Sequence, residues 1–586
     1  MRQWMVAAKK ADFYAIAEKF HVDPVVARII RNREVIGEKN IRIYLGGNLS
    51  DLSDPHQMKD MDRLVEILAQ KIRKQAHIRI IGDYDVDGVT SSHLFLTALR
   101  RVGAKVDVVI PHRIQDGYGL SLHLLQQAKE DGVDTILTCD NGIAAIDEIA
   151  WAKAQKMTVL VTDHHAVPFE EHEGRRTEKK SLADAVVNPH QQDCGYPYKE
   201  LCGAGVAWNV IRVLYENYDM DKREAEDLLD FVAMATVCDV MSLTGENRIL
   251  VKEGLKRIRH TKNIGLQALM QACNVQPENI SAYHFGYVLG PCVNATGRLD
   301  TARHALRLFE TGQETEAEEI ARDLVDLNQE RKELTLQGVE MAKKLCEEGG
   351  YENDPILVLF LPDVHESIAG LIAGRIREMY NRPVFVLTRG EEGVKGSGRS
   401  TENYSMYENM CGCAELFTKF GGHPMAAGLS LPEENVEKFR RKINENCPLT
   451  VEEVCPDIHI DMAMPVGYAS TELVHQFALL EPFGKDNPSP LFADRNLSIS
   501  CMWLIGKNRN VLRMSVLSEY GQPVPVIFFG DVETLFAYFT EKFGQEEVEN
   551  ALHGRKNRIL FSMVYTAKID FYQGNENLQL EMKYYR

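Results

Sequence analysis

The sequence predicts an α/β protein: a parallel sheet flanked by helices, a long helical connector, a second and smaller α/β domain, and a C-terminal β-barrel. Three observations predict this. Short Val- and Ile-rich runs alternate with helical stretches between 77 and 187, the repeat that builds a parallel sheet with helices on both faces. The alternation returns at 355. Beyond about 455 only short β-like runs with polar turns remain, as in a small barrel or sandwich. The boundaries drawn from these changes are an N-terminal extension over 1–50, a first α/β domain over 51–260, a connector over 261–349, a second α/β domain over 350–450 and a β domain over 451–586.

In the first domain HIRIIG (77–82), KVDVVI (105–110), TILTC (135–139), TVLVT (158–162) and ADAVV (183–187) read as strands. Ser91–Val102 and Ile143–Gln155 read as helices between them. From about 224 to 345 the pattern is helical. The charged run from Glu314 to Glu348 carries Ile320, Leu324, Leu327, Leu334 and Val339 at roughly helical spacing, so it reads as one long connecting helix. PILVLF (355–360) and RPVFVLT (382–388) then flank a helix near Ile368–Tyr380, followed by the glycine-rich segments KGSGRS (395–400) and GGHPMAAG (421–428). LSISCMWLIG, VLRMSVL, VPVIFFG, RILFSMVYTAKI and LQLEMKYY are the terminal strands.

With 586 residues, 45% of them hydrophobic and 26% charged, the chain has the composition of several soluble domains. It contains no run of about 18 apolar residues, so no membrane span is expected. Its N-terminus lacks the apolar stretch of a signal peptide, which points to the cytoplasm. The 12 cysteines form no CxxC pair, so reduced thiols are expected and structural zinc is not. A net charge of −18 weighs against a polyanionic partner. Bound cations would neutralise part of that charge, and nucleic-acid contact depends on a local basic groove.

The chemistry concentrates at strand ends. GDYDVDG (82–88) follows an apolar strand and precedes a helix, where ligands bind in open parallel sheets. Asp83, Asp85 and Asp87 alternate, so in an extended segment they share a face, and Gly88 lets the backbone turn into the helix. A calcium loop is disfavoured, because position 12 counted from Asp83 is Leu94, where an EF-hand needs Glu. TILTC is followed by Asp140, TVLVT by Asp163-His164-His165, and the apolar helix MATVCDV (234–240) closes on Asp239. Carboxylates meeting at one edge raise one another's pKa, and cations relieve that repulsion. A mixed carboxylate and imidazole set suits Mn²⁺ or Mg²⁺.

GDYDVDG, Asp140, the Asp163-His164-His165 triplet and Asp239 resemble the four motifs of the DHH phosphoesterase superfamily. The domain carrying GSGRS and GGHPMAAG resembles its companion domain, DHHA1. More narrowly, IPHRIQDGYGL (110–120), CVNATGRLDTA (292–302) and LLEPFGKDNPSP (479–490) are similar to the RecJ family, the last to the entrance of that family's OB-fold domain. The resemblance covers roughly 50 to 586. Smaller members of the superfamily carry a His four positions before the first ligand Asp. Here that position is Ile81, as in RecJ-like members, so Asp83 is a candidate for the second ion.

The resemblance implies a 5′-to-3′ exonuclease on single-stranded DNA that releases mononucleotides in DNA repair and recombination. Two cations, Mn²⁺ or Mg²⁺, are expected on Asp83, Asp85, Asp87, Asp140, His164 and Asp239. Asp140 or Asp87 is the candidate bridging ligand, and His165 would contact the phosphate or orient His164. Arg113, Arg298, Ser397, Arg399 and His423 are the expected substrate contacts, and the glycines at 396, 398, 421 and 422 would permit close approach to an anion. In the β domain Lys507, Arg509, Arg513, Arg555, Lys556 and Arg558 are candidate strand contacts, with Trp503 and Tyr565 as candidate stacking surfaces. A helicase and a single-strand-binding protein are the partners the family implies. The competing enzymatic reading is a phosphodiesterase for short oligonucleotides or cyclic dinucleotides, and the separate β domain argues against it.

Overall fold

The computed structural model describes every residue except 1, 2, 113–115, 117, 118, 173, 174, 300, 352, 391, 392, 448, 456, 507, 508 and 573; for 171, 172, 175, 176 and 572 only the backbone is described. The chain divides into two compact units. The larger comprises Leu52–Met241 and Ile249–Pro456; the other comprises Gln3–Asp51, Ser242–Arg248 and Asp457–Arg586. Among the described residues no helix is long and apolar enough to cross a membrane.

The larger unit opens on a parallel sheet of β1 (Ile78–Ile81), β2 (Val106–Val109), β3 (Thr135–Cys139), β4 (Thr158–Thr162) and β5 (Ala185–Val187). Their order is β2-β1-β3-β4-β5. Every residue of β1 and β3 is buried, as expected of strands covered on both faces. The winding reverses between β1 and β3, which opens a crevice at their carboxyl ends. Register then decides what meets there. Ile81 lies opposite Thr138, and Cys139 opposite Thr162. Continuing each strand carries Asp83, Asp140 and Asp163 to neighbouring positions on one edge.

Three helices complete the edge: α1 (Val86–Arg101), α2 (Gly203–Asn217) and α3 (Leu229–Cys238). Helix α1 begins earlier than Ser91, where the sequence reading starts it. Asp85 is its N-cap and accepts from Gly88 N at 3.0 Å. Asp83, Asp85 and Asp87 therefore do not share the face of an extended segment. Capping turns the chain into a helix at Val86 and puts Asp87 in its first turn. Farther on, Ala282–His284, a π-helical turn over Phe285–Leu289 and α4 (Gly290–Leu299) follow one another without a break. Helix α5 spans Glu314–Glu348, the run read as a single helix, and buries Ile320, Leu324 and Val339.

The second α/β domain has β6 (Leu357–Phe360), α6 (Glu366–Tyr380), β7 (Val384–Gly390), β8 (Gly393–Arg399), β9 (Lys419–His423) and β10 (Ala426–Leu431). Strand order is β9-β10-β8-β7-β6, with only β6 and β7 parallel. KGSGRS and GGHPMAAG thus lie largely in strands. Their glycines are packing residues as much as turn residues. A Cβ at Gly396 would lie 2.3 Å from Leu387 Cδ2, and one at Gly398 2.3 Å from Met406 Sδ.

The smaller unit is a barrel of β11 (Phe492–Ile505), β12 (Val511–Leu517), β13 (Pro523–Phe528), β14 (Leu560–Tyr572) and β15 (Asn575–Tyr585). Met462–Ala463 pairs with β11, and β14 returns to β11 to close it. Two helices absent from the sequence reading, Val532–Phe543 and Gln545–Leu552, lie between β13 and β14. The segment read as a separate N-terminal extension belongs to this unit. Val25, Val26, Ile29 and Ile30 share a buried cluster with Met464, Val466, Phe492 and Tyr565, and Trp4–Val6 pairs with Ile458–Ile460.

Candidate active site

Asp83, Asp85, Asp87, Asp140, His164, His165 and Asp239 converge at the carboxyl edge of the first sheet. Their ligand atoms form three groups, each with all atoms within 4.8 Å of one another: Asp83 with Asp85 and Asp140; Asp87 with His164 and Asp239; Asp140 with His164 and His165. Asp140 and His164 each belong to two groups, so the groups are adjacent.

Local structure sets each side chain. Asp87 is buried, and its Oδ2 and Oδ1 accept from Gly203 N (2.6 Å) and Ala204 N (2.7 Å) at the start of α2. These two amides of the helix N-terminus fix the plane of the carboxylate. Asp140 leaves β3 in the left-handed region, φ 62°, a conformation Asp tolerates better than most residues. Asp239 is the C-cap of α3. His164 Nε2 lies 3.0 Å from Asp140 Oδ1, 3.6 Å from Asp239 Oδ2 and 3.7 Å from Asp87 Oδ2. That nitrogen is buried and makes no hydrogen bond.

Electrostatics identify the strain in this arrangement. Burial first, then Asp87, Asp85, Asp239 and Asp83, push the Asp140 carboxyl well above the usual range. Burial and Asp87 push Asp85 up as well. Burial holds the His164 imidazole neutral, the form that ligates a metal. Burial also opposes charge on His165, but its hydrogen bond to Asp163 and the carboxylates Asp163, Asp239 and Asp87 prevail and lift it to about 9. A hard divalent cation would relieve the carboxylate repulsion and give His164 Nε2 a partner, so the residues present fit Mn²⁺ or Mg²⁺.

Sequence reading left out Asp163 as a site residue. It is buried and accepts from Ile143 N, His164 N, His165 N and His165 Nδ1, the last at 2.8 Å. Its place at the end of an apolar strand, next to two histidines, was the available signal.

Beside the cluster lies a cavity of about 490 Å³ lined among others by Tyr84, Ser367, Lys395, Ser397 and Lys419. Tyr84 sits between two candidate ligands, and Ser397 lies on β8, so the cavity joins the first sheet's edge to the second domain. Arg399 Nη1 donates to Ser397 Oγ at 3.3 Å, and Arg298 Nη1 to Ser367 O at 2.6 Å. A Cβ at Gly370 would lie 2.8 Å from Ser397 Oγ and 2.9 Å from Arg399 Nη2, so glycine there lets α6 approach both. Tyr84, Lys395 and Lys419 carried no distinguishing sequence signal. His423 is exposed at the end of β9. Arg113 lies outside the described residues.

In the barrel, Trp503 is 40% exposed and pairs across strands with Arg513. Arg509, Arg513, Arg555 and Lys556 are exposed, and Lys507 lies outside the described residues. Arg558 donates to Glu547 at 2.9 Å. Tyr565 is not a stacking surface: it is fully buried, and its hydroxyl donates to Met464 O at 2.9 Å, because inward positions of a small barrel fill the core.

Comparison with known proteins follows the same partition. Residues 77–236 match the DHH family, N-terminal domain, 353–447 the DHHA1 domain, and 460–584 the RecJ OB domain. A single-stranded-DNA-specific exonuclease RecJ of Haemophilus influenzae is 32% identical over 582 residues, covering 96% of this chain and 96% of that protein. The enzyme of the same name from Bacillus subtilis is 33% identical over 512 residues; the match covers 87% of this chain but 63% of that protein's length. Among solved structures, RecJ in complex with Mn²⁺ from Thermus thermophilus superposes with a TM-score of 0.81 at 25% identity, covering 100% of this chain and 79% of that one.

Proposed function

The chain belongs to the RecJ family of single-stranded-DNA-specific exonucleases, and from that premise we propose that it hydrolyses single-stranded DNA from the 5′ end, releasing 5′-mononucleotides. The observation that carries the reading is the convergence of Asp83, Asp85, Asp87, Asp140, His164 and Asp239, in overlapping groups, at one sheet edge. These residues would hold two cations. When bound, such a pair activates a water for in-line attack at phosphorus and neutralises the phosphate oxygens. Asp87 enters the reaction already fixed by the α2 amides. His164 offers its neutral Nε2 as a ligand. His165, charged and half-exposed, faces a phosphate oxygen. Arg298 and His423 hold the strand, and Arg113, Ser397 and Arg399 take the 5′-terminal phosphate. A terminal phosphate carries more charge than an internal diester, so paired guanidinium contacts favour it. Arg509, Arg513, Arg555 and Lys556 of the barrel bind single-stranded DNA. We propose a cytoplasmic location and partnership with a helicase and a single-strand-binding protein; fractionation and co-purification test them.

The test is product analysis on a long 3′-labelled strand with Mn²⁺, run beside a cyclic dinucleotide. Mononucleotides lost progressively from a 5′-phosphorylated end are expected. Turnover of the cyclic dinucleotide alone would favour the small-substrate reading. Asp140→Ala should fold normally, bind Mn²⁺ far more weakly in calorimetry, and release no nucleotide. Wild-type turnover by that variant at saturating Mn²⁺ would sink the ligand assignment.

A further inference from the structure

We infer that Tyr283 and Tyr287 form a stacking platform for unpaired bases of the substrate strand, on the approach to the carboxylate cluster. The inference rests on the single-strand nuclease reading above. Its starting point is helical geometry. Residues four or seven apart share a helix face. Tyr283, Tyr287, Asn294 and Arg298 are separated by four, seven and four positions along the uninterrupted run Ala282–Leu299. The opposite side, with Phe285, Leu289, Cys292 and Val293, is buried.

The C-terminal half of that face already reaches the site. Asn294 Oδ1 accepts from Val86 N at 3.2 Å, at the start of the helix that carries Asp87. Arg298 donates to Ser367 O beside the cavity. The N-terminal half is tied to the helix that ends at Asp239. Phe285 O accepts from Cys238 Sγ at 3.3 Å, and Cys238 precedes Asp239. The π-helical turn falls here, an irregularity that often marks functional positions.

At the other end of this face two aromatic rings stand in water. Tyr283 is 62% and Tyr287 71% exposed, with ring centroids 5.1 Å apart and an interplanar angle of 22°. They form a stack whose outer face is open to a third flat ring. A nucleobase supplies one, and base–aromatic stacking accepts any base, which suits an enzyme that degrades strands of any sequence. A duplex keeps its bases inside its own stack, so the platform selects unpaired nucleotides.

The test uses the full chain without added metal, in EDTA, with 5′-phosphorylated oligothymidine carrying one 2-aminopurine at successive positions. Wild type should quench the fluorescence at a position near the 5′ end. Y283L/Y287L, which keeps apolar bulk but removes the rings, should lose that quenching and bind about tenfold more weakly. Y283F/Y287F should retain both. Wild-type affinity and quenching in the leucine variant would overturn the platform and leave this face to a protein partner. The two readings fail separately. Absence of mononucleotide release by wild type with Mn²⁺ removes the nuclease reading, whereas normal release with leucine-variant binding equal to wild type removes the platform alone.

Discussion

Asp163 stands behind the candidate ligands, and its substitution tests how far positioning matters. Both its oxygens accept from N–H groups: Oδ2 from Ile143, Oδ1 from His164, His165 and the His165 ring. Asparagine must aim its NH₂ at one of these donors. Asp163→Asn should therefore release the His164–His165 segment and lower Mn²⁺ affinity and turnover by about 10- to 100-fold. Calorimetric titration with Mn²⁺ checks it; unchanged affinity would make Asp163 a bystander. His93 gives a pH-dependent expectation. It is 6% exposed, packs on Phe231 with ring centroids 4.4 Å apart, and its Nδ1 is buried without a hydrogen bond. Burial, then Arg100, hold the imidazole down to about 3. The unfolded chain takes up this proton near pH 6.5 and the folded chain does not. Stability is thus unaffected above about 6.5 and falls as pH drops toward 3, by about 2 kcal/mol at pH 5. His93→Leu should flatten that acid limb in denaturant titrations, and a limb identical to wild type would refute the assignment. At this scale the sequence was informative where an apolar strand or helix runs directly into Asp or His, as at Asp140, His164 and Asp239. It was misleading at Asp87, whose direction depends on Asp85 capping a helix, and silent on Tyr84, which matters through what folds over it.

Helix α2 connects its first turn to two candidate ligands at once. Gly203 N and Ala204 N hold Asp87, and a Cβ at Gly203 would lie 2.6 Å from Asp140 Cβ and 2.9 Å from its Oδ1. Gly203→Ala must push the helix away from Asp140 or turn Asp140 out of the cluster. Either movement should cost about 1–3 kcal/mol of stability and weaken Mn²⁺ binding by about tenfold or more. Thermal unfolding and a Mn²⁺ titration measure both, and a variant with wild-type metal affinity would show that the contact has room to relax. The strands of the first sheet and helix α5 were legible because their apolar periods are unbroken. The strands around Gly396, Gly398 and Gly421 were not, since glycine erases the alternation that marks a strand while neighbours such as Leu387 and Met406 fill the vacated space. Val532–Phe543 was missed for the converse reason: VETLFAYFTEKF is rich in Val, Thr and aromatic residues, which favour strands by propensity alone, and burial of Leu535 and Phe539 overrides it.

At the scale of the whole chain, the smaller unit is assembled from three distant segments, and no local period encodes that. Arg33 and Asp461, 428 residues apart, form an ion pair at 2.7 Å with both side chains largely buried. The third segment, Ser242–Arg248, is secured by Arg248, which is 1% exposed. Its guanidinium donates to Tyr44 O, Leu480 O and Leu479 O, each at 2.8 Å, and lies 4.0 Å over the Tyr44 ring. No carboxylate is among these contacts, so carbonyl dipoles and the ring stabilise the charge. Burial pushes its pKa down from the usual value, yet arginine retains its proton. Arg248→Ala removes three charge-assisted hydrogen bonds to backbone carbonyls, of which Leu480 O alone keeps a second donor in Asn487 Nδ2 among the bonds described. The cost should be about 3 kcal/mol or more. The loss should appear where the segments meet: faster amide exchange in 3–51 and 457–586, and weaker binding of long single strands with a shallower salt dependence as the barrel opens and its phosphate contacts are lost. Strands β1, β3 and β4, with the ligand cluster at their ends, should exchange as in wild type, and Mn²⁺ affinity should hold. Lysine at 248 should not rescue, because a single ammonium cannot reach three carbonyls in the guanidinium's planar fork. Full protection of 3–51 in the alanine variant would mean that Arg248 is not what ties the N-terminal helices to the barrel.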